Sequence, residues 1–304
     1  MGKTPLGWAA EKGHHRVVEM LLQRDDIDPN KTGEDGQTPL FAAIEYGHNR
    51  VVEMLLRRDD TNPNQSDRHG RTPLSWAARC GGEEMVRMLL ERDDVNPNES
   101  NMRHETPLSV AARRGRERIV EMLLTRGDVN PHGSNRYGQI PLLLAARGRN
   151  EGVVRLLLGR DDINPNGSDQ HGQTALHWAA KNGDEDVVRI LLGRDDVNPN
   201  KPDNFGNTPL SYAALCGHEE VVEVLLGRDD VNADMPNEEG HTPLIWASRG
   251  GHEGVVKMLL GRDDVNPEKP DGDGQTPLSY AARKGHSGVT ALLQPLTAAT
   301  HNLD

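Results

Sequence analysis

Thr72-Pro73-Leu74-Ser75-Trp76-Ala77-Ala78 is one copy of a pattern that returns every 34 residues, with further copies opening at Thr4, Thr38, Thr106, Ile140, Thr174, Thr208, Thr242 and Thr276. A register kept without a slip over nine copies marks a stack of like supersecondary units, none of which buries its apolar face alone. The 304 residues therefore read as one continuous array rather than two globular domains. Aromatic content of 3% and hydrophobic content of 35% are thin for a single core of that size. They suffice if each repeat seals a small layer against its neighbours.

The copy from Asp203 to Asn232 shows how one unit is built. Thr208 is a natural N-cap and Pro209 suits the first helical position, where a missing N–H costs nothing. Leu210, Ala213 and Ala214 share one face of this short helix, and Gly217 ends it. A second helix carries the stripe Val221, Val222, Leu225 and Leu226, with Glu219, Glu220 and Glu223 toward solvent. The Arg-Asp-Asp-Val-Asn-Pro segment that follows Gly227 is turn chemistry, a projecting hairpin-like loop or finger.

This pattern resembles the ankyrin repeat, whose Thr-Pro-Leu-His-x-Ala-Ala hallmark is matched from Thr4 to beyond Arg283. The resemblance implies an all-α repeat solenoid, a curved stack of about nine helix-turn-helix repeats over residues 1–294, with 295–304 as a C-terminal tail in which Pro295 stops the last helix. Long-fingered arrays of this kind, with 34 rather than 33 residues, are similar to those of large fungal multidomain proteins. The family's usual His occurs only as His177; Gly7, Phe41, Ser75, Ser109, Leu143, Ser211, Ile245 and Ser279 stand elsewhere, so its hydrogen bonds are absent or taken over by Ser. The chain opens inside a finger, Gly2 and Thr4 being in register with Gly36 and Thr38, which suggests an upstream segment.

A formal net charge of −12 disfavours nucleic acid as a partner, and no apolar stretch approaches membrane-spanning length. Cys80 and Cys216 occupy one repeat position four periods apart, about 30–40 Å at ordinary helix spacing, so they read as free thiols in an intracellular, cytoplasmic or nuclear protein, expected to be a monomer. Asn64, Asn98 and Asn166 head glycosylation-like triplets at one repeat position, but no secretory signal accompanies them. Met1-Gly2-Lys3 lacks a Ser or Thr at Leu6 for myristoylation.

Signs of chemistry are few. No phosphate-binding loop, zinc helix or cysteine cluster occurs, and neither cofactor nor metal is expected. His14, His48, His218, His252 and His286, with the neighbouring His15, follow the inter-helix Gly, where the resemblance gives His a structural role. His69, His104 and His171 are assigned to equivalent fingertip positions, too far apart to converge on one ion. Trp8, Trp76, Trp178, Trp246, Tyr212 and Tyr280 recur at a spacing that faces the core, which favours packing over an aromatic cage. The Asp-Asp pairs from Asp25-Asp26 to Asp263-Asp264 read as turn chemistry beside the preceding Arg. Cys80 with His69 or His104 has no orienting third group or oxyanion hole, so the chain reads as non-enzymatic.

Comparison among the copies separates positions that serve the fold from positions free to serve binding. Fingertips vary, from Glu34-Asp35 through Arg68-His69, Met102-Arg103-His104, Arg136-Tyr137, Gln170-His171 and Asn204-Phe205 to Glu238-Glu239 and Gly272-Asp273. So does the pair closing the first helix, as in Arg79-Cys80, Arg113-Arg114 and Arg147-Gly148. In ankyrin proteins both sets line the concave groove, and by that resemblance Arg68, Arg71, Arg79, Arg103, Arg113, Arg114, Arg136 and Arg147 share a surface, with Glu105 the main opposing charge. His69, Met102, His104, Tyr137, His171 and Phe205 add stacking and apolar area. Three rules break in the same region: His104 replaces the finger Gly, Ile140 the Thr cap, and Arg149 the inter-helix Gly. The leading expectation is a scaffold that receives an acidic peptide or protein on its concave face. A recognition or spacer segment of a larger signalling protein is the alternative, and an ankyrin-fold enzyme the third.

Overall fold

The structure, a computed structural model, describes residues 2–34 and 36–300, with side chains through residue 294. Met1, the finger acid Asp35 and tail residues 301–304 lie outside the described residues. The chain forms two compact units, Met1–Ile163 and Asn164–Asp304. The first holds five helix pairs: α1 Pro5–Glu11 and α2 His15–Leu22, α3 Pro39–Glu45 and α4 Asn49–Leu56, α5 Pro73–Cys80 and α6 Glu83–Leu90, α7 Pro107–Arg113 and α8 Glu117–Leu124, α9 Pro141–Arg147 and α10 Glu151–Leu158. The second holds four: α11 Ala175–Asn182 and α12 Glu185–Leu192, α13 Pro209–Cys216 and α14 Glu219–Leu226, α15 Pro243–Gly250 and α16 Glu253–Leu260, α17 Pro277–Lys284 and α18 Ser287–Thr300. No strand occurs among the described residues. Within each unit first helices pack on first helices and second on second, the arrangement of a helical repeat solenoid.

The first helices other than α9 and α11 begin as their Thr-Pro pair dictates, and α11 begins at Thr174-Ala175. Thr72 Oγ1 accepts the Ser75 N–H at 3.1 Å, and Thr106, Thr208 and Thr242 repeat the bond at 3.2 Å. Ile140 holds the same extended backbone, φ −81° and ψ 164°, with no side-chain cap. The alanine pair, such as Ala77 and Ala78, is fully buried where first helices meet, and the Val and Leu stripe of the second helices closes the other side of each layer. The two glycine replacements read from the register are the non-glycine residues at positive φ among those described, His104 at 60° and Arg149 at 59°.

The last helix differs from expectation. α18 runs through Pro295 to Thr300. A proline inside a helix removes one N–H donor and crowds the carbonyl four residues back, which weakens a helix without necessarily ending it.

Two ladders hold the fingers to the helical layers. The Arg before each acidic pair clasps the second Asp with both nitrogens, as Arg92 Nε and Nη2 do to Asp94 at 2.8 and 2.6 Å. Its remaining Nη1 reaches back one repeat to the Leu56 carbonyl at 3.0 Å, capping α4. The finger asparagines form the second ladder: Asn98 Nδ2 donates to the Asp128 carbonyl at 2.6 Å, and its Oδ1 accepts from Asn130 N at 2.7 Å. Asn64 and Asn166 are engaged in the same way, so all three glycosylation-like asparagines spend their amides on the next repeat.

Candidate docking surface

Each fingertip from the one at Asp67 to the one at Asp271 is a tight turn organised by one Asx side chain. Asn101 Oδ1 accepts from Arg103 N at 2.7 Å and Glu105 N at 3.1 Å; Asn135 does the same for Tyr137 and Gln139, and Asp67 for His69 and Arg71. Neighbouring tips are joined by backbone bonds, Met102 N to the His69 carbonyl and Arg136 N to the Arg103 carbonyl, both 3.2 Å. These bonds hold successive tips side by side over the ends of the first helices.

Two hollows lie between fingers and helices in the first unit. The larger, of about 500 Å³, is lined by Arg103, Glu105, Arg113, Arg136, Tyr137, Arg147 and the floor residue Leu144, among others. The smaller, of about 320 Å³, is lined by His69, Arg71, Arg79, Met102 and Arg114, and shares Arg103, Glu105 and Arg113 with the first. Arg113 Nη2 lies 2.9 Å from the Glu105 carboxylate, and this pair forms part of the wall of both. Arg71 is less available than its charge suggests. It binds Asp67 through Nε at 2.7 Å and stacks 4.1 Å over the Trp76 ring. Burial pushes the Asp67 carboxyl up, but the Arg71 guanidinium and the turn N–H groups more than offset this and hold it below the ordinary carboxylate range.

Twelve of the fourteen residues expected to share a surface therefore lie in the first unit, and ten of them line these hollows. Arg68 and His104 are exposed and line neither hollow. His104 also departs from its assigned equivalence with His69 and His171. Those two donate their N–H to Asp67 and Asp169, whereas His104 is one residue farther on and is itself the left-handed residue. His171 and Phe205 are exposed in the second unit.

The helix-turn-helix frame, the Thr-Pro caps and the linked fingertips agree with the family comparison, in which the model for ankyrin repeats (three copies) matches residues 6–101, 93–169, 162–235 and 229–303. The chain belongs to the ankyrin repeat family. Ankyrin repeats are in general protein–protein interaction modules. No curated protein matches the chain.

Other ankyrin positions resolve into structural roles. His48, His218, His252 and His286 place Nε2 2.8–3.1 Å from a carbonyl closing the preceding repeat's first helix. His177 takes part in a capping box with Thr174 and lies 3.1 Å from the Asn207 carbonyl; burial, partly opposed by that bond, lowers it to about 4, so the ring is neutral. Where Ser replaces it, as at Ser109, the hydroxyl donates to the Thr106 carbonyl at 2.9 Å. Among the described residues no group of three or more His, Cys, Asp or Glu side chains is placed to hold a metal. Both cysteines are free, and burial raises the thiol of each.

The recurrent aromatic position needs correction. Tyr280 is buried, as expected, but Trp76, Trp178, Trp246 and Tyr212 are half-buried and Trp8 is 53% exposed, so at those five the ring forms a floor beneath the fingers rather than part of the core. The residue three places on covers the ring: Arg79 lies 5.1 Å over Trp76, Arg249 5.3 Å over Trp246, and Arg283 4.7 Å over Tyr280. Their recurrence had matched a core-facing spacing, but apart from Tyr280 these rings lie at the edge of the buried stripe. Sequence reading also missed the Arg113–Glu105 pair and the asparagine ladder. The ladder had a signal in the repeated Asn-Pro-Asn; the pair had none, because it depends on how a finger folds over its own helix.

Proposed function

We propose that the finger-and-helix face of the first unit is the concave docking surface of a non-catalytic scaffold, and that its partner is an acidic segment of another protein. The observation that carries this reading is the charge of the larger hollow, where four guanidiniums, from Arg103, Arg113, Arg136 and Arg147, meet one carboxylate, Glu105. Planar guanidiniums suit paired bonds to carboxylate oxygens, and Met102 and Tyr137, 68% and 45% exposed, give a partner apolar area beside them. One copy of the chain supplies every residue of the surface, so the reading takes it as a monomer. A nucleic acid fits less well, because the basic run is short within a chain of net charge −12.

Degenerate peptide pools with a fixed central Glu-Glu or Lys-Lys, passed over immobilised protein, test the reading. Retention of the acidic pool should exceed that of the basic pool by at least about tenfold at low salt and decline as salt screens the groove. Replacing Arg103, Arg113, Arg114 and Arg136 together by Ala should abolish it, and undiminished retention by that variant sinks the proposal.

A further inference from the structure

The larger hollow lies over a floor position that has lost its ring. In register, that position holds Trp76, Trp178, Trp246 and Tyr280 in four repeats whose residue three places on is a cation, and in each of the four the cation lies over the ring, at 4.7–5.3 Å. The two repeats between Trp76 and Trp178 hold Val110 and Leu144 instead, although Arg113 and Arg147 follow at the same spacing. Both aliphatic side chains are buried, 3% and 2% exposed, and stop short of the surface that the half-buried indole of Trp76 reaches. Arg113, with Val110 in register, turns to Glu105 of its own finger. What stands in place of the ring is room, with Leu144 at its base.

The other repeats show what such a place accepts. At Trp76 guanidiniums stack on the indole both from the finger, Arg71 at 4.1 Å, and from the helix end, Arg79 at 5.1 Å. The larger hollow has guanidiniums from the same two sources, Arg103 and Arg136 at the tips and Arg113 at the helix end. Tyr137, 45% exposed and 5.1 Å from the Arg136 guanidinium, adds a ring for offset or edge contact. A neutral ring is not repelled by the Glu105 carboxylate in the wall. We propose that the larger hollow seats an aromatic side chain of the partner over Leu144, in the place that an aromatic ring of the chain itself fills in other repeats. This rests on the docking reading above and deepens it: the acidic segment carries an aromatic residue close to its carboxylates, so that guanidinium edges take the acids and guanidinium faces take the ring.

The test uses the full chain and three degenerate peptide pools built on a central Glu-Glu, with Trp, Leu or Ala scanned over the positions on either side of it. Wild type is expected to retain the Trp pool about fivefold better than the Leu pool at the best position, the Leu pool being the control for apolar burial alone. Leu144→Trp installs the residue found in register at Trp178 and Trp246. It is expected to fold as wild type, to keep its retention of the Ala pool and to erase the advantage of the Trp pool, because the place is then filled from within. Tyr137→Ser, at a tip whose turn is closed by the Tyr137 N–H rather than its ring, serves if Leu144→Trp melts early and is expected to narrow the advantage severalfold. Equal retention of the Trp and Leu pools by wild type overturns the aromatic seat while leaving the acidic-partner reading in place. Failure of all three pools to exceed a Lys-Lys pool overturns both. A Trp advantage left unchanged in the folded variant overturns the seat over Leu144.

Discussion

In the second unit Tyr212 and Tyr280 each donate a 2.7 Å hydrogen bond to the carboxylate that organises their own fingertip, Asp203 and Asp271. In the first unit the positions in register hold Trp76, Val110 and Leu144, none of which carries a hydroxyl, and the polar work passes to arginine: Arg71 to Asp67, Arg113 to Glu105. The second unit also keeps every Thr cap and every left-handed glycine of its repeats, whereas the first breaks both rules at Ile140, His104 and Arg149. Two of the four repeats of the second unit satisfy their fingertip acid internally with a neutral hydroxyl. The first unit leaves half-exposed guanidiniums and strained turns, the combination expected where a surface is kept ready for something else.

The contrast is most easily broken with acid. His177 is buried and neutral, held at about 4 against an ordinary 6.5, so between those values the unfolded chain binds the proton that the folded chain refuses. Stability of the α11–α13 region should therefore fall as pH drops through 6.5 and level off below about 4, by about 3 kcal/mol in all. Amide exchange of that region against pH measures it, and His177→Ser, the residue found at Ser109 and Ser211, should remove the slope. The first unit has no His at the equivalent positions Gly7, Phe41, Ser75, Ser109 and Leu143, and should not respond in this way.

Two substitutions move the first unit toward the second. Ile140→Thr restores the cap on a backbone already in the capping conformation and should raise stability by about 1 kcal/mol in urea denaturation. His104→Gly relieves a left-handed side chain but gives the unfolded chain more freedom, so a smaller gain of about 0.5 kcal/mol is expected in the same measurement. If either variant is less stable than wild type, the broken rules are repaid by packing and the contrast between the units loses its strain component.

The frame was legible because its causes are local. A Thr before Pro, a Gly after the alanine pair and a period of 34 each act within a few residues or repeat unchanged, and the register even located His104 and Arg149 as left-handed. The groove was legible in outline only. Which residues vary could be read by comparing copies, but not that Arg71 is committed to Asp67, nor that Glu105 faces Arg113, because both depend on the fold of a finger tip. Pro295 misled for a related reason: one residue that weakens a helix was read as ending it, although α18 runs on to Thr300.

The asparagine ladder has a consequence for how such a chain can change length. Each rung joins residues 30 or 32 apart, as Asn98 does to Asp128 and Asn130, and so asks only that the next repeat be in phase. Inserting or deleting one whole repeat leaves every remaining rung with a partner of the same kind, whereas a single added residue between helix and finger throws two hydrogen bonds out of step at once. The molecule is thus tolerant of edits by the repeat and intolerant of edits by the residue, a grammar in which the 34-residue unit, not the amino acid, is the letter.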